Sequence, residues 1–154
     1  ASQGTTASIL LTHIQSACEQ TQQANHSLGR EQFNCQWFDR LIQQSPSTYS
    51  PYDWLASSAT YIAAQITQTH SNQANSQPIV LAGGGSYNRY FVHQILEQSK
   101  VPVILSDDLG IPCQGREAMA FAILGALSQD RVPVSLPQIT GALSPGIAGT
   151  WVYP

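Results

Sequence analysis

Gly83-Gly84-Gly85 stand between the apolar run Pro78-Ile79-Val80-Leu81-Ala82 and Asn88, which opens a helical stretch. Three consecutive glycines remove every β-carbon from the turn, so a planar or charged ligand can approach the backbone closely. A helix beginning after Asn88 directs free N–H groups and the positive end of its dipole toward the same space. That combination suits a nucleotide. The competing structural reading, a tight strand–helix turn, needs only one glycine.

Other motifs at the same place fit less well. Gly83-x-Gly85, followed about 20 positions later by Asp107 and Asp108, imitates a dinucleotide-binding fingerprint. Its third glycine, however, is replaced by Asn88, and a longer βαβαβ half does not follow. No Gly-Lys-Ser/Thr succeeds the glycines, which removes a P-loop, and no glycine lies two residues after Ser86, which removes a nucleophile elbow. Asp107 and Asp108 can also serve simply as turn caps. Arg30 with Glu31 reads as a surface pair, and Tyr87 and Tyr90 as packing or surface residues.

The elements that must position these residues alternate between helix and strand. Ala7, Leu10, Leu11, Ile14 and Cys18 predict a helix over about 5–19, and Phe33, Trp37 and Leu41 a second that stops before Pro46. Ser50-Pro51-Tyr52-Asp53 supplies a serine cap, a first-turn proline and an aspartate three after the cap. Leu55, Ala59, Ile62, Ala63 and Ile66 form the buried face expected of that third helix, and 70–77 reads as loop. A buried strand at 78–82, a helix over 88–98 with Phe91 and Ile95 inward, and a second apolar strand at 101–105 make a right-handed parallel βαβ unit. Ser106-Asp107-Asp108-Leu109-Gly110 then leaves the carboxyl end of that strand, the usual ligand side. The helix over 116–127 is apolar nearly all round and is expected to be deeply buried. The sequence therefore divides into a helical segment 1–70, a strand–helix–strand–helix segment 78–127 carrying the nucleotide site, and an irregular tail 128–154.

Composition narrows the function classes. The 154 residues carry a net charge of −3 and a single lysine, Lys100. Without clustered Lys/Arg there is no phosphate-tracking surface, so a nucleic-acid partner is not expected. Charged residues make up 10%, against roughly 25% in average domains, and Gln, Ser and Asn fill the polar positions. Cys18, Cys35 and Cys113 are odd in number and far apart, and the four histidines lack metal-ligand spacing. Neither a disulfide framework nor a metal site is expected, and a cytoplasmic location is the simplest reading. No apolar run approaches the ~18 residues of a membrane span, and the polar start at Ala1–Gly4 does not resemble a signal peptide.

Taken in order, five segments resemble one family, the bacterial anhydro-N-acetylmuramic acid kinases of the sugar kinase/actin superfamily. Gly29-Arg30-Glu31-Gln32-Phe33-Asn34 matches a Gly-Arg-Glu-x-Phe-Asn motif, and Gly83-Gly84-Gly85-Ser86-Tyr87-Asn88 is similar to the superfamily's adenosine motif. Ser106-Asp107-Asp108-Leu109-Gly110-Ile111-Pro112 resembles Thr-Asp-Glu-x-Gly-x-Pro. Glu117-Ala118-Met119-Ala120-Phe121-Ala122 and Leu136-Pro137-Gln138-Ile139-Thr140-Gly141-Ala142 match the Glu-Ala-x-Ala-Phe-Ala helix and the Leu-Pro-x-Val-Thr-Gly-Ala close. The chain departs from the family at His26-Ser27-Leu28, where Lys-Ser-Thr is usual, and at Pro112-Cys113-Gln114-Gly115, where an aspartate is usual.

The resemblance implies an α/β fold, part of an actin-like (ribonuclease H-like) ATPase lobe. It further implies a kinase that uses ATP and Mg²⁺ to open and phosphorylate 1,6-anhydro-N-acetylmuramic acid, giving N-acetylmuramic acid 6-phosphate in cell-wall recycling. Gly83, Gly84, Gly85 and Asn88 would bind the nucleotide and Glu117 the sugar. The family's Gly-Thr-Ser-x-Asp-Gly and Asp-Thr-Gly-Pro-Gly-Asn phosphate segments do not occur here, and its catalytic aspartate is expected upstream of this chain. The chain is thus expected to be the C-terminal part of such a kinase, inactive alone, with the N-terminal part as its partner; a homodimer is compatible with this reading. The alternatives are a non-catalytic nucleotide-binding or interaction module, or a Rossmann-type dinucleotide-binding domain.

Overall fold

The computed structural model describes residues 1–23, 29, 31–45, 48–71, 77–150 and 152. His26, Ser27, Leu28 and Arg30 of the sequence reading lie outside the described residues, as do residues 72–76 of the expected loop. The elements run α1 (Ser8–Gln23), α2 (Cys35–Gln43), α3 (Pro51–Ser71), β1 (Ile79–Leu81), α4 (Arg89–Gln98), β2 (Val103–Leu105), α5 (Arg116–Gln129) and α6 (Pro137–Thr140). β1 and β2 pair as a two-stranded parallel sheet with α4 as the connection, so the chain is α/β. The chain forms two compact units: Ala1–Val80 with Gly85–Ile104, and Leu81–Gly84 with Leu105–Pro154.

The first unit is built on α3. Its start is fixed reciprocally: Ser50 Oγ accepts from Asp53 N at 3.2 Å, while Asp53 Oδ2 accepts from Ser50 N at 3.1 Å and Ser50 Oγ at 2.7 Å. Asp53 Oδ1 also accepts from Thr5 N at 2.8 Å, so one carboxylate starts α3 and anchors the strand of chain leading into α1. Leu10, Ile14 and Cys18 of α1, Leu41 of α2 and Trp54 of α3 form the core, with Trp37, Phe38 and Tyr61 packed around it. The expected spacing of α1 is therefore the buried one. Inside α4, Ile95 is buried and Phe91 half-buried, also as expected.

Three burial expectations need correction. On α3, Leu55 and Ile62 of the expected face are exposed and Ala59 and Ile66 half-buried; Ala63 is buried as expected, together with Trp54, Ala56, Ser57 and Thr67. Apolar residues lie on more than one side of this helix, so periodicity alone could not orient it. The hydroxyls of Ser57 and Thr67 could go inward because each finds a partner, Ala7 N at 3.2 Å and Ala63 O at 3.0 Å. The strands are also not fully buried: Ile79 is, but Val80 and Leu105 are exposed. Successive strand residues point to opposite faces, and two strands do not cover both. Finally, α5 is not deeply buried. Its half-buried positions are Ala120, Leu124, Gly125 and Leu127, beside the buried Ser128, whereas Met119, Phe121 and Ile123 are exposed.

Candidate functional site

β1 ends at Leu81, and the chain turns at Gly83 with φ of 84°, a left-handed conformation that a β-carbon opposes. Gly84–Tyr87 wind as one 3₁₀ turn, closed by Asn88 N donating to Gly85 O at 3.1 Å. Asn88 then caps α4, its Oδ1 accepting from Phe91 N at 3.2 Å. One expected donor of the helix start is thereby satisfied internally, and the Asn88 Nδ2 group is the part of that side chain left for a ligand.

The three glycines differ in what the fold asks of them. Only Gly83 has a positive φ. A β-carbon built at Gly83, Gly84 or Gly85 would meet no atom within 4 Å. Neither backbone conformation nor packing therefore demands glycine at 84 and 85. What their bareness provides is open backbone, which matches the requirement of a flat or charged ligand coming close. The residues fit a nucleotide in this respect.

In the second unit Cys113 gathers the ends of the surrounding segments. Its carbonyl accepts from Gly83 N at 2.8 Å, its thiol donates to Leu81 O at 3.7 Å, and Ser106 Oγ donates to the same sulfur at 3.4 Å. Cys113 N donates to Asp107 Oδ1 at 3.4 Å. The thiol is 2% exposed, so it is a buried polar junction rather than a reactive group. Hydrogen bonding from Cys113, first through its side chain and then its amide, holds the Asp107 carboxyl below its ordinary range. Asp108 Oδ2 accepts from Leu105 N at 3.1 Å. Both aspartates thus serve the turn that follows β2, which weakens the dinucleotide reading that needed one of them for a ribose.

Glu117 lies exposed in the first turn of α5, whose N-cap is Gly115 with no side-chain cap. A carboxylate there is favoured by the helix dipole, at ~0.3–1 kcal/mol, and its oxygens are open to donors from solution. Tyr87 is 59% exposed and Tyr90 half-buried. Among the described residues no group of three His, Cys, Asp or Glu side chains is arranged to hold a metal ion.

A cavity in the first unit was not anticipated from sequence. About 550 Å³ in volume, it lies among α1, α2 and α3 and is lined by Ile14, Cys18, Trp37, Phe38, Tyr61 and Gln65, among others. Burial pushes the Cys18 thiol up, and burial followed by the Cys18 charge pushes Tyr61 up to about 12. Both therefore present neutral groups to the cavity at neutral pH. None of the sequence-predicted site residues lines it.

The anhydro-N-acetylmuramic acid kinase family model matches residues 1–154. Among similar proteins, the anhydro-N-acetylmuramic acid kinase of Acaryochloris marina is 35% identical over 128 residues, covering 80% of this chain and 34% of the relative. The proteins of the same name from Bordetella avium and Bacillus cereus (strain Q1) are 32% and 30% identical, covering 85% and 83% of this chain and 35% of each relative. The chain thus spans about a third of the length of the curated relatives it matches. Among the described residues no helix is long and apolar enough to cross a membrane.

Proposed function

Because the chain belongs to the anhydro-N-acetylmuramic acid kinase family, we propose that it forms part of an ATP-dependent sugar kinase with an actin-like fold, acting in the cytoplasm on 1,6-anhydro-N-acetylmuramic acid. In the proposed reaction water attacks C1, the C1–O6 bond of the anhydro bridge breaks, and O6 receives the γ-phosphoryl group, giving N-acetylmuramic acid 6-phosphate and ADP. The observation that carries the nucleotide assignment is the open backbone at Gly84 and Gly85, where the fold itself has no need of glycine.

Within that reaction the chain's own residues bind and orient. Gly83, Gly84 and Gly85 let the adenosine lie against main chain, and Asn88, three residues further along the chain, offers its Nδ2 donor. When bound, ATP supplies the phosphoryl group, and Mg²⁺, held largely through the phosphates, offsets their charge. Glu117 accepts hydrogen bonds from hydroxyls or the acetamido N–H of the sugar; repulsion makes it a poor neighbour for a triphosphate. The water-activating aspartate belongs to the remaining part of the polypeptide, so the isolated chain has no turnover.

One assay tests this reading: ADP release with ATP, Mg²⁺ and the anhydro-sugar, run on the full polypeptide, its Glu117→Gln variant and the isolated chain. The full polypeptide turns over and the isolated chain matches the no-enzyme control. Glu117→Gln loses about 10- to 100-fold in kcat/KM for the sugar, the loss of one charged hydrogen bond at ~1.5–3 kcal/mol, with ATP binding nearly intact. Turnover by the isolated chain, or a Glu117→Gln defect confined to ATP, contradicts the assignment.

A further inference from the structure

From Ala118 to Leu127, α5 contains no polar side chain. Its inward positions, Ala120, Leu124 and Leu127, use one side of the helix. Met119, Ala122, Ile123 and Ala126 recur at the i, i+3, i+4, i+7 spacing of a second apolar stripe, and all four are exposed. Phe121, on a different side of the helix one turn after Glu117, is also exposed. Charged groups appear only at the first turn, Arg116 and Glu117. A helix apolar on every side is a buried helix, and a contiguous exposed apolar face on a soluble protein marks a contact surface.

We infer that the Met119/Ala122/Ile123/Ala126 face of α5 is a docking surface for the remaining part of the same polypeptide. This occupant is chosen on length: the chain spans 34–35% of its curated relatives, which leaves most of a family protein available to cover the helix. The inference rests on the reading of the chain as part of a longer kinase. It deepens that reading by naming the face through which the two parts join. The exposed stripe is then the core half of an intramolecular interface, and its lack of charge is the charge-poor centre expected of one.

Met119 is the chain's only methionine, so its sulfur reports this face without ambiguity. The experiment compares the rate of Met119 sulfoxide formation by dilute hydrogen peroxide in the isolated chain and in the full polypeptide, read by peptide mass. Expected are near-free-methionine reactivity in the isolated chain, held monomeric as checked by sedimentation, and at least tenfold slower oxidation in the full polypeptide. Ile123→Glu supplies a second readout, lowering the Tm of the full polypeptide while leaving that of the isolated chain unchanged. Equal Met119 rates in the two proteins overturn the proposal. So does protection that rises with concentration of the isolated chain and gains nothing from the additional sequence, which would make a second copy the occupant. A gene encoding nothing beyond this chain overturns it as well. The oxidation rate reads burial alone, so a protected Met119 in a polypeptide without kinase activity supports this interface while removing the kinase reading.

Discussion

Gly84 is the residue at which ligand approach and chain folding can be separated. Its φ is not positive and a β-carbon there meets open space, so Gly84→Ala should leave the fold intact or stabilise it by ~0.4–1 kcal/mol. The same methyl group would stand where the adenosine is proposed to lie. In the full polypeptide the expected result is a rise of tenfold or more in the ATP Kd by calorimetric titration, with an unchanged or higher Tm. Gly83→Ala is the control: at φ of 84° the added β-carbon costs ~1–2 kcal/mol of stability. An unchanged ATP affinity in a stably folded Gly84→Ala protein would count against Gly84 as a nucleotide-contact residue. Spacing made the glycines visible as a candidate site. It did not reveal Cys113, whose role comes from the end of β1, about 30 residues earlier, meeting the turn after β2 at one buried residue. Its position appeared in the sequence as one of three scattered cysteines and as a departure from a motif.

At the scale of elements, the start of α3 makes a prediction about pH. Hydrogen bonding from Ser50, then from Thr5, holds the Asp53 carboxyl below its ordinary value. A depressed folded-state pKa gives stability that is present above the unfolded value and lost as pH falls through the folded one. Asp53→Asn should therefore lower Tm at pH 7, and the gap from wild type should close only in acid, below the ordinary aspartate pKa of about 3.9. Ser50→Ala, which removes the cap hydroxyl, should cost ~0.5–2 kcal/mol at neutral pH. A wild-type-to-Asp53→Asn gap that persists unchanged through pH 3 would show that the carboxylate's charge is not what fixes the helix start. This element was legible because its cap residues lie within four positions. So were α1, from its apolar spacing, and the start of α4, from its Asn88 cap. The buried side of α3 was not legible, because Leu55 and Trp54 are adjacent and equally apolar, and contacts made by Ala7 and Ser57 decide which turns inward. The burial of α5 was misread for a different reason: an all-round apolar sequence says that a helix needs cover, not that the cover is in the same stretch of chain.

At the scale of the whole molecule, each compact unit carries part of the glycine segment along the chain, Gly83 and Gly84 in one and Gly85 and Asn88 in the other. Family membership rests on a match running the full 154 residues, whereas the residue assignments rest on local geometry. Parallel strands are normally covered on both faces, and the exposed Val80 and Leu105 belong to a sheet of two. Both facts agree with a chain spanning about a third of its relatives. The central claim, that this chain supplies the adenosine side of a kinase cleft, is tested most directly by photolabelling the full polypeptide with 8-azido-ATP and locating the adduct by tandem mass spectrometry. The expected result is an adduct within residues 83–90, suppressed by excess ATP. An ATP-protected adduct found only outside this chain's 154 residues would contradict it.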